Sequence, residues 1–126
     1  MQVNLADETF KHTETILEDL KKNGTIPYNI SEENSILPLI ASLIIQEKQK
    51  VNVLDLGGGM GIGFIGLVAC LEKNNNLQYS VIETPNMCLG GSKLFISDNR
   101  IQFYNDFPEN LLNVDIVFIK SALQYF

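Results

Sequence analysis

A short apolar run that breaks directly into glycines constrains this chain more than any other feature. Val51–Gly63 reads Val-Asn-Val-Leu-Asp-Leu-Gly-Gly-Gly-Met-Gly-Ile-Gly. Its first part is rich in branched side chains with one acid near the end, the pattern of a strand buried in a parallel sheet. After the glycines, Ile62–Leu71 is an apolar, helix-compatible run. Strand, glycine turn and helix together open a nucleotide-binding βαβ unit. The turn needs residues without Cβ because its backbone bends sharply and lets a ligand approach closely. Its N–H groups and the helix N-terminus then face that ligand.

Three motifs compete for these glycines. A phosphate-gripping P-loop ends in Gly-Lys-Ser/Thr, and no lysine occurs between Lys50 and Lys73. A dinucleotide G-x-G-x-x-G fits only at Gly61, Gly63 and Gly66, too far past the strand, because that fingerprint begins at the strand's end. D-x-G-x-G-x-G, from Asp55, Gly57, Gly59 and Gly61, keeps the strand–turn–helix context. On these residues the sequence resembles the class I S-adenosylmethionine-dependent methyltransferases, whose first motif has this pattern at this place. A glycine-rich turn in another α/β domain is the alternative.

The totals bound the rest. A length of 126 residues suits one domain, enough to bury about two-thirds of its unfolded surface. Composition is ordinary for a globular chain, 45% hydrophobic and 19% charged. No apolar run reaches the ~18 residues of a membrane span, and Met1–Asp7 lacks the basic start and apolar core of a signal peptide. No membrane association and a cytoplasmic location are the expectations. Net charge is −6 and no basic cluster exceeds Lys21-Lys22. Nucleic acid is therefore a poor partner, since phosphate-backbone binding relies on clustered cations. A small molecule or a protein fits better. Cys70 and Cys88 have neither disulfide-motif nor zinc spacing and read as reduced core thiols.

In chain order, residues 1–50 read as a helical segment and 51–126 as the ligand-binding unit. Asp7–Lys22 is an amphipathic helix with Phe10, Thr13, Leu17 and Leu20 on one stripe, acids leading, lysines closing and Gly24 as its stop. His12 lies off the stripe and reads as a solvated surface residue, with contact to a substrate as the alternative. Thr25–Asn34 is a connector from which Tyr28 either reaches over a ligand pocket or simply packs. Ile36–Lys48, capped by Ser35 or Asn34, is a helix apolar on most sides and so expected to be buried against the sheet. Gly61–Asn74 follows the turn as a helix. Gly63 and Gly66 inside it each cost about 1 kcal/mol relative to Ala, which implies close packing against the strand or a ligand. Leu77–Glu83 is the second strand, Pro85–Phe95 a helix weakened at Gly90-Gly91, Ile101–Tyr104 a third strand and Val114–Lys120 a fourth.

Glu83 is the second chemical signal. A right-handed βαβ crossover places its strand beside the first, so this terminal acid borders the same crevice and can accept hydrogen bonds from both hydroxyls of a ribose. Capping of the turn before Thr84-Pro85 is the bland alternative. Further roles come from the resemblance alone. It implies a Rossmann-like methyltransferase fold, S-adenosylmethionine as cofactor and methyl transfer to a small-molecule acceptor. It implies that Asp55 holds the amino group, that Asp106 or Asn105 contacts the adenine, and that Ser121 lies beside the sulfonium. No general base is indicated; His12 and Tyr125 are weak candidates. Val-Ile-Glu-Thr-Pro with Ser-Ala-Leu-Gln-Tyr-Phe also resembles bacterial methyltransferases of surface-polysaccharide gene clusters.

The family's complete domain has seven strands. This chain has room for four, in the order 3-2-1-4, which reads as a C-terminally truncated half carrying the adenosine side of the site. A non-catalytic nucleotide-binding module completed by a partner chain is the second reading, and a dinucleotide-dependent oxidoreductase a third. A fourth strand left at an edge presents unpaired backbone groups to another chain, so homodimer formation near Val114–Phe126 is expected. Light scattering is expected to return a mass above the 14.1 kDa of one chain; a well-behaved monomer at high concentration would count against the edge pairing.

Overall fold

The apolar run before the glycines is a strand, β1 (Val51–Leu56), and it lies inside a four-stranded sheet. The computed structural model describes residues 4–33, 35–71, 76–109, 111 and 113–120. The helices before β1 are α1 (Leu5–Asn23), α2 (Tyr28–Glu33) and α3 (Ile36–Lys48); after it come α4 (Ile62–Cys70), β2 (Leu77–Ile82), α5 (Pro85–Leu94), β3 (Ile101–Tyr104) and β4 (Ile116–Ile119). The strand order is β3-β2-β1-β4, with every neighbouring pair parallel. This is the order read from the sequence. Because the strands are parallel, the C-terminal ends of β1, β2 and β3 open on one edge of the sheet, and the glycine turn sits there.

Register sets which residues meet. Val53 pairs with Tyr79 and Asp55 with Val81, so Val53, Asp55, Tyr79 and Val81 share one face. The core forms from Val51, Val53, Phe64, Ile65, Leu67, Leu77, Tyr79 and Val81, with Ile16, Leu37 and Ala41 contributed by α1 and α3. At the other end of β1, the Asn52 N–H donates to Asp115 at 2.9 Å, and Lys48 pairs with the same carboxylate. That lysine holds the Asp115 carboxyl below its usual range. The clip fixes where β4 begins, two residues inside the Val114–Lys120 span expected from sequence.

Helix ends follow their local chemistry. Asn4 caps α1 by accepting from the Asp7 N–H, and Gly24 closes it in the left-handed conformation at φ 71°. Ser35 precedes α3 but makes no side-chain cap bond. Among the described residues no helix is long and apolar enough to cross a membrane.

Four expectations are corrected. The supposed connector carries α2, anchored by buried Ile30. Helix α3 is not buried on most sides: it seats Leu37, Pro38 and Ala41, while Ile36, Leu39, Ile40 and Leu43 are exposed, because only one stripe of a helix can meet the elements beneath it. Cys70 is exposed at the last position of α4, and Cys88 on α5 is half-buried, so neither is a core thiol. Helix α5 passes through Gly90-Gly91 unbroken. Those glycines make room for neighbours: a Cβ on Gly90 would sit 2.4 Å from the Met60 methyl, and one on Gly91 would sit 2.3 Å from the Phe103 ring.

The last pair gives a test. Met60 ends in a flexible thioether that can yield, whereas the Phe103 ring stacks on Phe95 at 6.2 Å and is fixed. Gly91→Ala is expected to lower the unfolding free energy by about 1–3 kcal/mol. Gly90→Ala should be near neutral, because its gain in helix propensity offsets the adjustment. Urea denaturation of both variants measures the difference.

Candidate functional site

The turn after β1 and the first turn of α4 use their glycines in two ways. Gly57, Gly59 and Gly61 take positive φ of 72°, 60° and 97°, which side chains other than glycine resist. Gly58 and Gly63 do not; they are needed for space. A Cβ on Gly58 would lie 2.4 Å from the Asp55 carboxyl carbon, and one on Gly63 would lie 2.2 Å from the Tyr79 hydroxyl. The Gly57 N–H donates to the Ile82 carbonyl at 2.9 Å, which ties the start of the turn to the end of β2.

Among the described residues, two cavities border the glycines of this turn. One, about 680 Å³, is lined by Gly57, Gly59, Ile82, Glu83, Asn105 and Met87, closed by Leu5 of α1. The structure thus brings Gly57, Gly59 and Glu83 together. The Glu83 N–H is held by the Tyr104 carbonyl at 2.9 Å, and burial raises its carboxyl above the ordinary range while the Thr84 N–H lowers it. The second, about 220 Å³, lies toward β4 and is lined by Asp55, Gly57, Gly58, Gly63, His12 and Lys120, with Ile30 and Phe118. Gly57 borders both. A larger cavity of about 760 Å³ lies among Leu17, Lys21, Phe64 and Arg100, toward the other end of the strands and away from the turn.

Asp55 is 2% exposed. Its Oδ2 accepts a 2.5 Å hydrogen bond from the Tyr79 hydroxyl. Burial pushes its pKa from 3.8 up to about 6; the Tyr79 bond works against that, and the negative charge of Glu83 adds to it. The Tyr79 hydroxyl is pushed well above 10 by burial and by the carboxylate beside it, so it remains the donor.

The other sequence candidates are placed differently. Gly61 turns toward apolar side chains, where a Cβ would meet Ile101 at 3.0 Å and Phe95 at 3.1 Å. It shapes the turn without lining either cavity. Asp106 is exposed and accepts from the Phe107 N–H at 2.8 Å, while Asn105, its alternative, lines the 680 Å³ cavity. Tyr28 is 79% exposed and borders neither flanking cavity. Ser121 and Tyr125 lie outside the described residues.

Sequence reasoning missed Tyr79, Leu5 and Thr9, and named His12 only as a weak candidate for a general base or a substrate contact. Tyr79 sits diagonally from Asp55 across the β1–β2 pair, within reach of a long side chain; a lone phenol in an apolar strand, with a glycine at Gly63 inside a helix, was the available signal. Leu5, Thr9 and His12 follow helical spacing on α1 and lie across the turn. Leu5 closes one cavity and His12 the other, and Thr9 faces Gly59 at 3.9 Å from where its Cβ would be. This face is distinct from the apolar stripe by which α1 was recognised.

Among solved structures, the chain is similar to a protein from Methanococcus maripaludis provisionally assigned as an S-adenosyl-L-methionine-dependent methyltransferase. They are 16% identical, the match covers 100% of this chain and 55% of that one, and the TM-score is 0.54. The plantazolicin methyltransferase BpumL, solved with S-adenosylhomocysteine, is similar at 16% identity over 92% of this chain and 50% of that one, with a TM-score of 0.48. The chain spans about half the length of these structures. No family model matches it. No curated protein matches it either. The fold is a Rossmann-like sheet of the methyltransferase type, with four parallel strands and flanking helices.

The raised Asp55 pKa has a definite sign for stability. The folded chain holds this proton more tightly than the unfolded chain, so stability falls as pH rises from about 4 to about 6 and stays lowered above that. Asp55→Asn removes the charge and keeps an acceptor for Tyr79. Its unfolding free energy at neutral pH is expected to exceed wild type by about 1–3 kcal/mol, with the gap closing toward pH 4. Chemical denaturation across that range checks it.

Proposed function

We propose that this chain is the cofactor-binding part of an S-adenosylmethionine-dependent methyltransferase acting on a small-molecule or saccharide acceptor. The observation that carries the reading is the meeting of Gly57, Gly59 and Glu83 around one largely apolar cavity at the strand ends, under a turn with the D-x-G-x-G-x-G pattern. The cavity suits a nucleoside: its walls Ile82, Met87 and Leu5 are apolar, and Glu83 supplies a carboxylate for two adjacent hydroxyls. Asn105 supplies an amide at the rim for the base. Beyond Gly57, the smaller cavity offers groups of both signs: Asp55 for an ammonium group, Lys120 and His12 for a carboxylate. A zwitterionic amino-acid end joined to a nucleoside matches that division.

S-adenosylmethionine would supply a methyl group on a positively charged sulfonium. The residues here would bind and orient it, which is the main contribution required of a protein in such a transfer.

A second reading, a nucleotide-binding module completed by another chain, draws on β4. Within the described residues this strand pairs only with β1, and Val117 on it is 57% exposed. Pairing of two copies through that edge is part of the proposal. Methyl transfer by the isolated chain would separate the two readings.

Calorimetry tests the shared part. S-adenosylhomocysteine is expected to bind and NAD not to. Glu83→Ala should weaken S-adenosylhomocysteine by about tenfold to a hundredfold, the loss of hydrogen bonds to a charged acceptor. Equal binding by the variant, or NAD binding by wild type, would refute the assignment.

A further inference from the structure

Two glycines, one in the turn and one in the first turn of α4, serve no backbone requirement. Gly58 and Gly63 lack positive φ, yet each faces a side chain where its Cβ would be: Asp55 at 2.4 Å for Gly58, the Tyr79 hydroxyl at 2.2 Å for Gly63. Both absences serve the same carboxylate–phenol pair. The Tyr79 ring is fixed edge-on against Phe64, 5.6 Å between centroids at 65°, so its hydroxyl has little freedom to leave Asp55. Resting on the cofactor reading above, we infer that Tyr79 is a positioning residue of the ligand site. It holds Asp55 ionised beneath the glycine turn, so that the amino-acid end of the ligand binds when Asp55 is charged and is released when Asp55 takes a proton.

The geometry supports each part. Asp55 is nearly inaccessible except toward the 220 Å³ cavity, so its charge is felt there and not in bulk water. The charged and titratable groups around it are Tyr79 and Glu83 from β2 and its end, His12 from α1, and Lys120 after β4. Glu83 opposes ionisation of Asp55, and Tyr79 favours it by donating to the charged form. The proton exchanges with solvent through the cavity. Tyr79 keeps its own, because burial and the neighbouring charge disfavour its loss. Removing the phenol oxygen therefore shifts Asp55 further toward its neutral form.

The test compares two ligands that share the nucleoside. S-adenosylhomocysteine carries the amino-acid end, and 5′-methylthioadenosine lacks it. Titration of Glu83 affects both, so the ratio of their affinities isolates the smaller cavity. For wild type, that ratio is expected to fall about tenfold from pH 7 to pH 5, following Asp55. In Tyr79→Phe the fall should begin at higher pH, with 5′-methylthioadenosine bound as in wild type. If the variant keeps the wild-type pH profile, or loses both ligands equally at every pH, the positioning role is wrong. If wild type binds neither ligand, the cofactor reading fails and takes this inference with it; binding of both with a flat ratio sinks the inference alone.

A stability cycle checks the geometry without ligand. Gly63→Ala should be strongly destabilising in wild type and much less so in the Tyr79→Phe background, where the hydroxyl is gone. Equal costs in the two backgrounds would show that Gly63 is not held open for Tyr79.

Discussion

The site is organised by a carboxylate placed where water hardly reaches. Asp55 lies one residue before the end of β1 in the middle of a parallel sheet, 2% exposed, with Tyr79 donating to it from β2. A buried charge is costly unless it is hydrogen-bonded, and this one receives its bond from a neighbouring strand on the same sheet face. The need to accommodate that pair reaches into two other elements. The turn must supply a glycine at Gly58, and α4 must supply one at Gly63 in its first turn. A helix would otherwise gain about 1 kcal/mol from alanine there. Sheet register, turn composition and helix composition are thus linked through one hydrogen bond.

The same turn shows why glycine content alone says little about function. Gly57 and Gly59 border the cavity at the strand ends, Gly61 bends the chain toward the core around Ile101 and Phe95, and Gly58 and Gly63 clear space for side chains. Gly90 and Gly91 in α5 repeat the last role for Met60 and Phe103. A motif read only as ligand-approaching glycines assigns all of them one task. The backbone angles separate them, because positive φ marks a turn requirement and its absence marks a packing one.

Much of the fold was legible because it rests on short-range pattern. The apolar run of β1, the acid after β2 and the glycine turn fix two parallel strands and their common edge, and the described sheet has the order read from the sequence. What was not legible depends on contacts between distant residues. The exposure of Leu39 and Leu43 is set by how much surface lies beneath α3, which hydrophobicity along the helix does not encode. Continuity of α5 through Gly90-Gly91 depends on Met60 and Phe103 arriving from elsewhere. Asn105 and Asp106 are adjacent and chemically alike, and only the direction of the chain after β3 separates a cavity wall from a surface turn. Tyr79 was readable as a buried strand residue, but its bond to Asp55 follows from register.

The arrangement also explains why a stable core and a charged site coexist here only at a cost. Neutralising Asp55 would favour the folded chain, since burial opposes its charge. Keeping it ionised at neutral pH favours a cationic group in the adjoining cavity, where low dielectric strengthens attraction. By donating to the carboxylate, Tyr79 lowers the penalty of the charged form without removing the charge, which is what its proposed positioning role requires. A second acid or a lysine in that position would shift the balance too far, one by repulsion and the other by forming an ion pair with no charge left for a ligand. A phenol, neutral and kept protonated by its own burial, supplies a hydrogen bond and leaves the negative charge available.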